Sequence, residues 1–203
     1  MIYSRLILRH QEVVEMNVLT FFKMPFSHRA GWQALKSNSP SIPTLAWCVV
    51  LPMSLLPPLM LYYAGTHYGD TFMTGFAERE WRFITTILFL AELLTFFIMG
   101  WVIHAVVNGV EQLSISYKNA YLLATLAPLP LWISALALWV PSLFFNVIVG
   151  LAALGVSCSL IYHGLQALCT RNELDVATIS ATYTIMSAGI LGWGVLLAVV
   201  WAY

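Results

Sequence analysis

The sequence predicts an all-α fold: a polytopic membrane protein with a five-transmembrane-helix bundle and a short N-terminal interfacial helix. Three observations predict it. First, 60% of the residues are hydrophobic and 9% are charged, against about 25% charged in soluble domains. Second, 203 residues divide into apolar runs long enough to cross a bilayer, which takes roughly 20 residues each. Third, Lys and Arg are distributed unevenly between the connections. The expected layout is a cytoplasmic segment, 1–43, followed by a transmembrane domain, 44–203. Zero net charge excludes an overall basic field of the kind that attracts nucleic acid.

Residues 1–15 mix apolar residues with Arg5, Arg9, Glu12 and Glu15, and a coherent segment begins at Met16, so either Met1 or Met16 is the expected start. The basic residues are interspersed and no small-residue cleavage site follows, so no signal peptide is expected. Residues 21–39 read as the interfacial helix. Ser27 is its cap, Ala30, Trp32 and Leu35 form its apolar side, and Arg29 and Lys36 reach toward headgroups.

Span one, about 45–63, contains Pro52, Pro57 and Pro58. Proline has no N–H, so these residues free the carbonyls of Cys48, Met53 and Ser54 and kink the helix. In lipid such carbonyls need partners from hydroxyls, water or neighbouring helices. Span two is about 81–107. Span three, about 120–139, carries Pro128 and Pro130, which free the carbonyls of Ala124 and Leu126. The connection through Val140, Pro141 and Ser142 is short enough to force a tight antiparallel hairpin with span four, about 143–168.

Gly155 and Ser159 make a small-xxx-small pair on span four. On span five, about 177–201, Ser180, Thr184, Ala188 and Gly192 repeat every fourth residue. Such stripes allow close helix packing, more often inside a bundle than between copies. A cytoplasmic N-terminus puts Arg5, Arg9, Lys23, Arg29, Lys36, Lys118 and Arg171 on one side against Arg79 and Arg82 on the other, which fits the positive-inside rule. Five spans then leave the C-terminus periplasmic.

The polar residues within the apolar runs are the candidate site: Glu92, His104, Asn108, Glu111, His163 and Gln166. A charged residue at the centre of a span costs about 2.5–3.5 kcal/mol on insertion scales, so Glu92 needs a partner, a proton or a protein environment. His104, Asn108 and Glu111 fall within about 60° of one another on a helix, while Glu92 is about 120° from His104 and deeper. His163 and Gln166 belong to the same end of the co-directional span four.

Three readings compete. Glu92, His104, Glu111 and His163 would suit a proton or cation path. His104, Glu111 and His163 are of metal-ligating types. In the structural reading, Glu92 bonds freed carbonyls or hydroxyls at the proline kinks and the others sit at the water interface. No HxxxH, CxxC or HExxH spacing backs a metal, and no GxSxG, Walker A or dinucleotide loop marks an enzyme. No metal, cofactor or catalytic residue is therefore expected, and the cysteines, Cys48, Cys158 and Cys169, read as small buried hydrophobes.

The segments PFSHRAGWQAL, SYKNAYLLATLAPLPLWISALALWVPSLF and LIYHGLQAL resemble the bacterial branch of the Yip1 family. Tyr121 and Pro128 in span three, and Tyr162 and Gly164 near the end of span four, carry the resemblance. It implies a five-helix membrane domain with a cytoplasmic N-terminus. The eukaryotic family is linked to Rab GTPases and vesicle traffic. This chain lacks that branch's Asp-Leu-Tyr-Gly-Pro motif and has Ala120 where a glycine precedes the tyrosine, so GTPase binding does not carry over.

The function expected is that of a non-enzymatic, membrane-organising or partner-binding scaffold in a bacterial inner membrane, its partners the bilayer and an unidentified protein. The alternative is a homodimeric channel or transporter for a small cation or proton, using Glu92 and the His104, Glu111 and His163 region.

Overall fold

The computed structural model describes residues 32, 35, 36, 40–110, 113–171 and 175–202. Its long helices are α1 (Ile42–Thr71), α2 (Trp81–Gly109), α3 (Tyr117–Trp139), α4 (Leu143–Leu168) and α5 (Asp175–Ala202). Among the described residues, α1 to α4 are long and apolar enough to cross a membrane. The fifth predicted span, 177–201, falls on α5.

Helix α1 starts where Ser41 holds an extended backbone and its hydroxyl accepts the Thr44 N–H at 3.3 Å. Pro43 occupies the first turn, where a missing N–H costs nothing. The helix widens into a π turn at Ala46–Val50, with the Leu51 N–H reaching back to Ala46 C=O. This widening immediately precedes Pro52, whose ring would otherwise crowd the Cys48 carbonyl. A second interruption falls at Leu55, just before Pro57 and Pro58, and the buried Ser54 hydroxyl donates to Leu51 C=O at 3.1 Å.

The helix continues well past the predicted end at residue 63. Its later polar side chains bond back onto their own helix: Thr66 Oγ1 donates to Tyr62 C=O at 2.8 Å, and His67 Nδ1 lies 3.0 Å from Tyr63 C=O. Hydroxyls that satisfy themselves in this way do not end a helix.

The α1–α2 connection is fastened by Trp81. Its Nε1–H donates to Phe76 C=O at 2.9 Å, and its ring lies so close to Gly65 that a Cβ there would stand 2.2 Å from the indole. Helix α2 contains no proline and buries Phe96, Gly100, Ile103 and Val107 at helical spacing. Tyr121 lies over Gly100, where a Cβ would be 2.6 Å from the tyrosine ring, and its hydroxyl donates to Phe97 C=O at 3.1 Å.

Helix α3 is the centre of the bundle. Every residue from Asn119 to Leu126 is buried, with α2 and α4 packed against it together with the start of α1. Its α-helical part stops at Leu126, resumes over Leu129–Ser134 and tightens to a 3₁₀ helix over Ala135–Trp139. That places the break at Pro128 and Pro130.

Helix α5 packs on α2 and α4 through Thr178, Ala181, Thr182 and Ile185. The predicted packing stripe lies elsewhere on this helix: Ser180, Thr184 and Gly192 are exposed. Gly155 likewise has open space around it. At the end of the bundle where α4 finishes, two-residue strands β1 (Leu113–Ser114) and β2 (Thr170–Arg171) pair antiparallel and tie the α2–α3 connection to the α4–α5 connection.

The predicted interfacial helix lies outside the described residues apart from Trp32, Leu35 and Lys36, which are helical. Trp32 and Leu35, expected on the apolar side of an interfacial helix, are part of the bundle core. A Cβ on Gly164 would lie 2.6 Å from Leu123 Cδ1 and 2.9 Å from Trp32 Cη2. The glycine thus opens a slot in α4 that the indole fills, and burial of such a ring outweighs a place at the interface.

Candidate functional site

Glu92 sits on α2 about 5 Å from the helix midpoint, taking 1.5 Å per residue. Its Oε2 accepts the Nε1–H of Trp132 at 2.9 Å, and Trp132 is 3% exposed. The kink makes this contact possible. Pro128 and Pro130 end the first part of α3, Pro130 falls in the first turn of the resumed helix, and Trp132 N–H closes that turn on Pro128 C=O at 3.0 Å.

The same kink is held from the opposite side. Ser157 of α4, itself buried, donates its hydroxyl to Ala127 C=O at 2.6 Å. The structural reading of Glu92 needs its partner corrected: the carboxyl takes an indole N–H beside the kink, while a serine from another helix takes a carbonyl. A carboxylate has only acceptors and a carbonyl is one too, so this division of partners is the chemically matched one.

Asn108 has a defined local task. Its Nδ2 donates to His104 C=O at 2.7 Å and to Ile115 C=O at 3.1 Å, and its Oδ1 accepts Ile115 N–H at 3.2 Å. One side chain thereby mimics a strand neighbour for Ile115 and closes the loop after α2. His104 is half-buried with its ring edge-on to Tyr117 at 5.2 Å. Glu111 lies outside the described residues.

On α4, His163 Nδ1 is 2.8 Å from Ser159 C=O one turn back, and its ring meets that of Tyr162 at 5.4 Å. Gln166 is half-buried nearby. Helices α2 and α4 do not pack substantially on one another; α3 and α5 each contact both. Glu92 and His104 are also separated by about 18 Å along α2, so the candidate residues fall into three places: Glu92 beside the kink, His104 and Asn108 at the end of α2, and His163 and Gln166 on α4. Among the described residues, no three His, Cys, Asp or Glu side chains converge as metal ligands do.

The three cysteines are free thiols. Cys169, just past the end of α4, is buried, and burial pushes its thiol up to about 11 against the opposing pull of Lys36.

Trp132, Ser157 and Gly100 escaped the sequence reading. Trp132 had one available signal, since an indole within a span seeks an acceptor, and Glu92 is an acceptor in search of a donor. The break in α3 at Pro128 and Pro130 sets the geometry of the Glu92–Trp132 contact.

Neither the curated proteins nor the solved structures contain a match to this sequence. A family model described as the Yip1 domain matches residues 22–201, nearly the full chain, and the chain belongs to the Yip1 family of multi-pass membrane proteins.

Proposed function

We infer that this Yip1 family protein is a non-enzymatic membrane scaffold that organises the bilayer or binds a protein partner within it. The observation that carries this reading is the Glu92–Trp132 hydrogen bond. An indole N–H is a donor without an acceptor site, so it fixes a carboxyl but cannot pass a proton onward. The other candidate residues support the same reading, because Asn108 and His163 are engaged by backbone close to them in sequence.

The 28-residue α5 has ample length for a fifth crossing. With the Lys and Arg bias, this supports a segment 1–43 and an N-terminus in the cytoplasm, a membrane domain 44–203 and a C-terminus on the periplasmic side of a bacterial inner membrane. The depth of Glu92 in α2 favours the competing reading, a homodimeric cation or proton channel.

Flux in proteoliposomes separates the two. The scaffold reading expects proton and potassium flux no greater than in empty vesicles, both for the native protein and for Glu92→Gln. Native flux that disappears in the variant would establish transport instead. Purification from native membranes is expected to bring down a stoichiometric protein partner.

A further inference from the structure

The turn joining α3 to α4 differs from every other described connection in its chemistry. Between Lys118 and Arg171 the chain contains no Asp, Glu, Lys or Arg, so the turn, all of α4 and α3 beyond its second residue carry no formal charge. The side chains at the tip are large, apolar and uncovered: Trp139 is 67% exposed, Leu143 66% and Phe144 77%. The α1–α2 connection at the same end carries Glu78, Arg79 and Glu80, with Asp70 in the last turn of α1 before it.

The polar groups of the turn look inward. Val140 N–H donates to Ala137 C=O at 2.9 Å, Ser142 N–H to Val140 C=O at 2.8 Å, and Asn146 N–H to Ser142 C=O at 3.0 Å. Ser142 Oγ accepts the Phe145 N–H at 3.4 Å, and Leu138 C=O accepts the hydroxyl of Tyr68. Asn146, the tip's one amide side chain, folds back under the turn. Its Nδ2 donates to Val140 C=O at 3.2 Å, while its Oδ1 is buried with no partner.

The charged α1–α2 connection also closes on itself, through the N–H groups of Phe72, Met73 and Phe76, so what sets the α3–α4 turn apart is its lack of charge together with its uncovered apolar side chains. Irregular backbone at membrane depth must satisfy itself, because hydrocarbon offers no partners. Aromatic and aliphatic side chains, in turn, gain free energy on leaving water in proportion to their area.

We propose that the α3–α4 turn is immersed in the bilayer, at the boundary between headgroups and acyl chains, and that lipid rather than water or protein covers Trp139, Leu143 and Phe144. The depth is set by two groups. The amides of Leu143 and Phe144 begin α4 without an intramolecular acceptor among the described residues, as the first N–H groups of a helix do. Ester and glycerol oxygens at that boundary can accept from them. Tyr63 lies at the level of Trp139, their rings 5.7 Å apart, and α1 continues beyond it to its charged connection.

The test uses the full chain with Cys48, Cys158 and Cys169 replaced by Ala, and single cysteines introduced as Phe144→Cys or Thr74→Cys. Each is labelled with an environment-sensitive fluorophore in phosphatidylcholine vesicles. Immersion requires iodide in the water to quench the label at 144 several-fold less than at 74, and lipids spin-labelled near the headgroup to quench it more. Equal iodide quenching at both positions would overturn the proposal, and so would shielding at 144 from both quenchers, which would mean that protein covers the tip. Hydrogen exchange of the unmodified protein in lipid nanodiscs guards against misfolded variants. Residues 139–146 should exchange several-fold more slowly than residues 72–80, and equal rates would likewise overturn immersion.

Discussion

The indole N–H of Trp132 and the carboxyl of Glu92 meet at 2.9 Å across α3 and α2, immediately beyond the break at Pro128 and Pro130. Glu92→Gln keeps an acceptor oxygen in place and should retain the fold. Trp132→Phe keeps a ring and removes the donor, leaving a carboxyl without its partner. In a cycle with Glu92→Leu and Trp132→Phe, the coupling energy should be about 0.6 kcal/mol and no more than about 1.7, the mean and the maximum of interhelical hydrogen bonds measured by such cycles in membranes. Reversible unfolding in mixed detergent micelles measures it, and a coupling of zero would show that the contact holds nothing together.

The close approach of Tyr121 to Gly100, and of Trp32 and Leu123 to Gly164, leaves no space for a methyl group. Gly100→Ala and Gly164→Ala should each destabilise by about 1–3 kcal/mol, the ordinary cost of overpacking. Gly150→Ala and Gly155→Ala meet open space and should be neutral or slightly stabilising, because alanine is the better helix former. Tryptophan fluorescence should shift in Gly164→Ala as Trp32 leaves its slot, and an unchanged spectrum would place the indole elsewhere.

The apolar runs, the prolines within them and the isolated carboxyl at Glu92 were legible in the sequence because each departs from its surroundings. The direction of helix faces was not. In a membrane both the lipid-facing and the protein-facing side of a helix are apolar, so periodicity carries no sign. Thr178 and Thr182 are buried while Ser180 and Thr184 are exposed, although all are small hydroxyl residues. The centrality of α3 was hidden for the same reason. Trp132 lies 40 residues from Glu92, and the kink that brings them together has a direction that only the packed structure defines.

Helix α5 offers a direct test of face assignment. Ala181→Leu places a large side chain at a fully buried position and should cost about 1–3 kcal/mol. Thr184→Leu lies on the exposed face and should change stability by no more than about 0.5 kcal/mol. The reverse order in a detergent unfolding assay would restore the every-fourth-residue stripe as the packing surface.

Asn108 should prove more important to the α2–α3 connection than its exposed position suggests. Replacing it by Leu strips Ile115 of both backbone partners, and Ile115 is itself buried. Leaving such groups unmet costs about 1–3 kcal/mol. Hydrogen exchange of residues 113–116 should accelerate selectively in Asn108→Leu, while α4 retains its protection. Uniform acceleration would mean that the whole bundle had loosened.

Cys169 gives a pH dependence with a definite sign. Its thiol is raised from an ordinary value near 9 to about 11, first by burial, with Lys36 acting in the opposite direction. Between those two values the unfolded chain has released the proton and the folded chain still holds it. Stability should therefore fall as pH rises from 9 toward 11, since stability decreases with pH wherever the folded state binds more protons. Below 9 the thiol is neutral in both states and contributes no slope. Cys169→Ala should flatten the alkaline part of the profile without altering the neutral part. At pH 8 about a thousandth of the folded thiol is ionised, so alkylation by iodoacetamide should be slow until the protein unfolds. Rapid labelling of Cys169 at that pH, in folded protein whose Cys48 and Cys158 are replaced by Ala, would show that the end of α4 is open to water, contrary to its packing with Trp32 and Leu35 in one core.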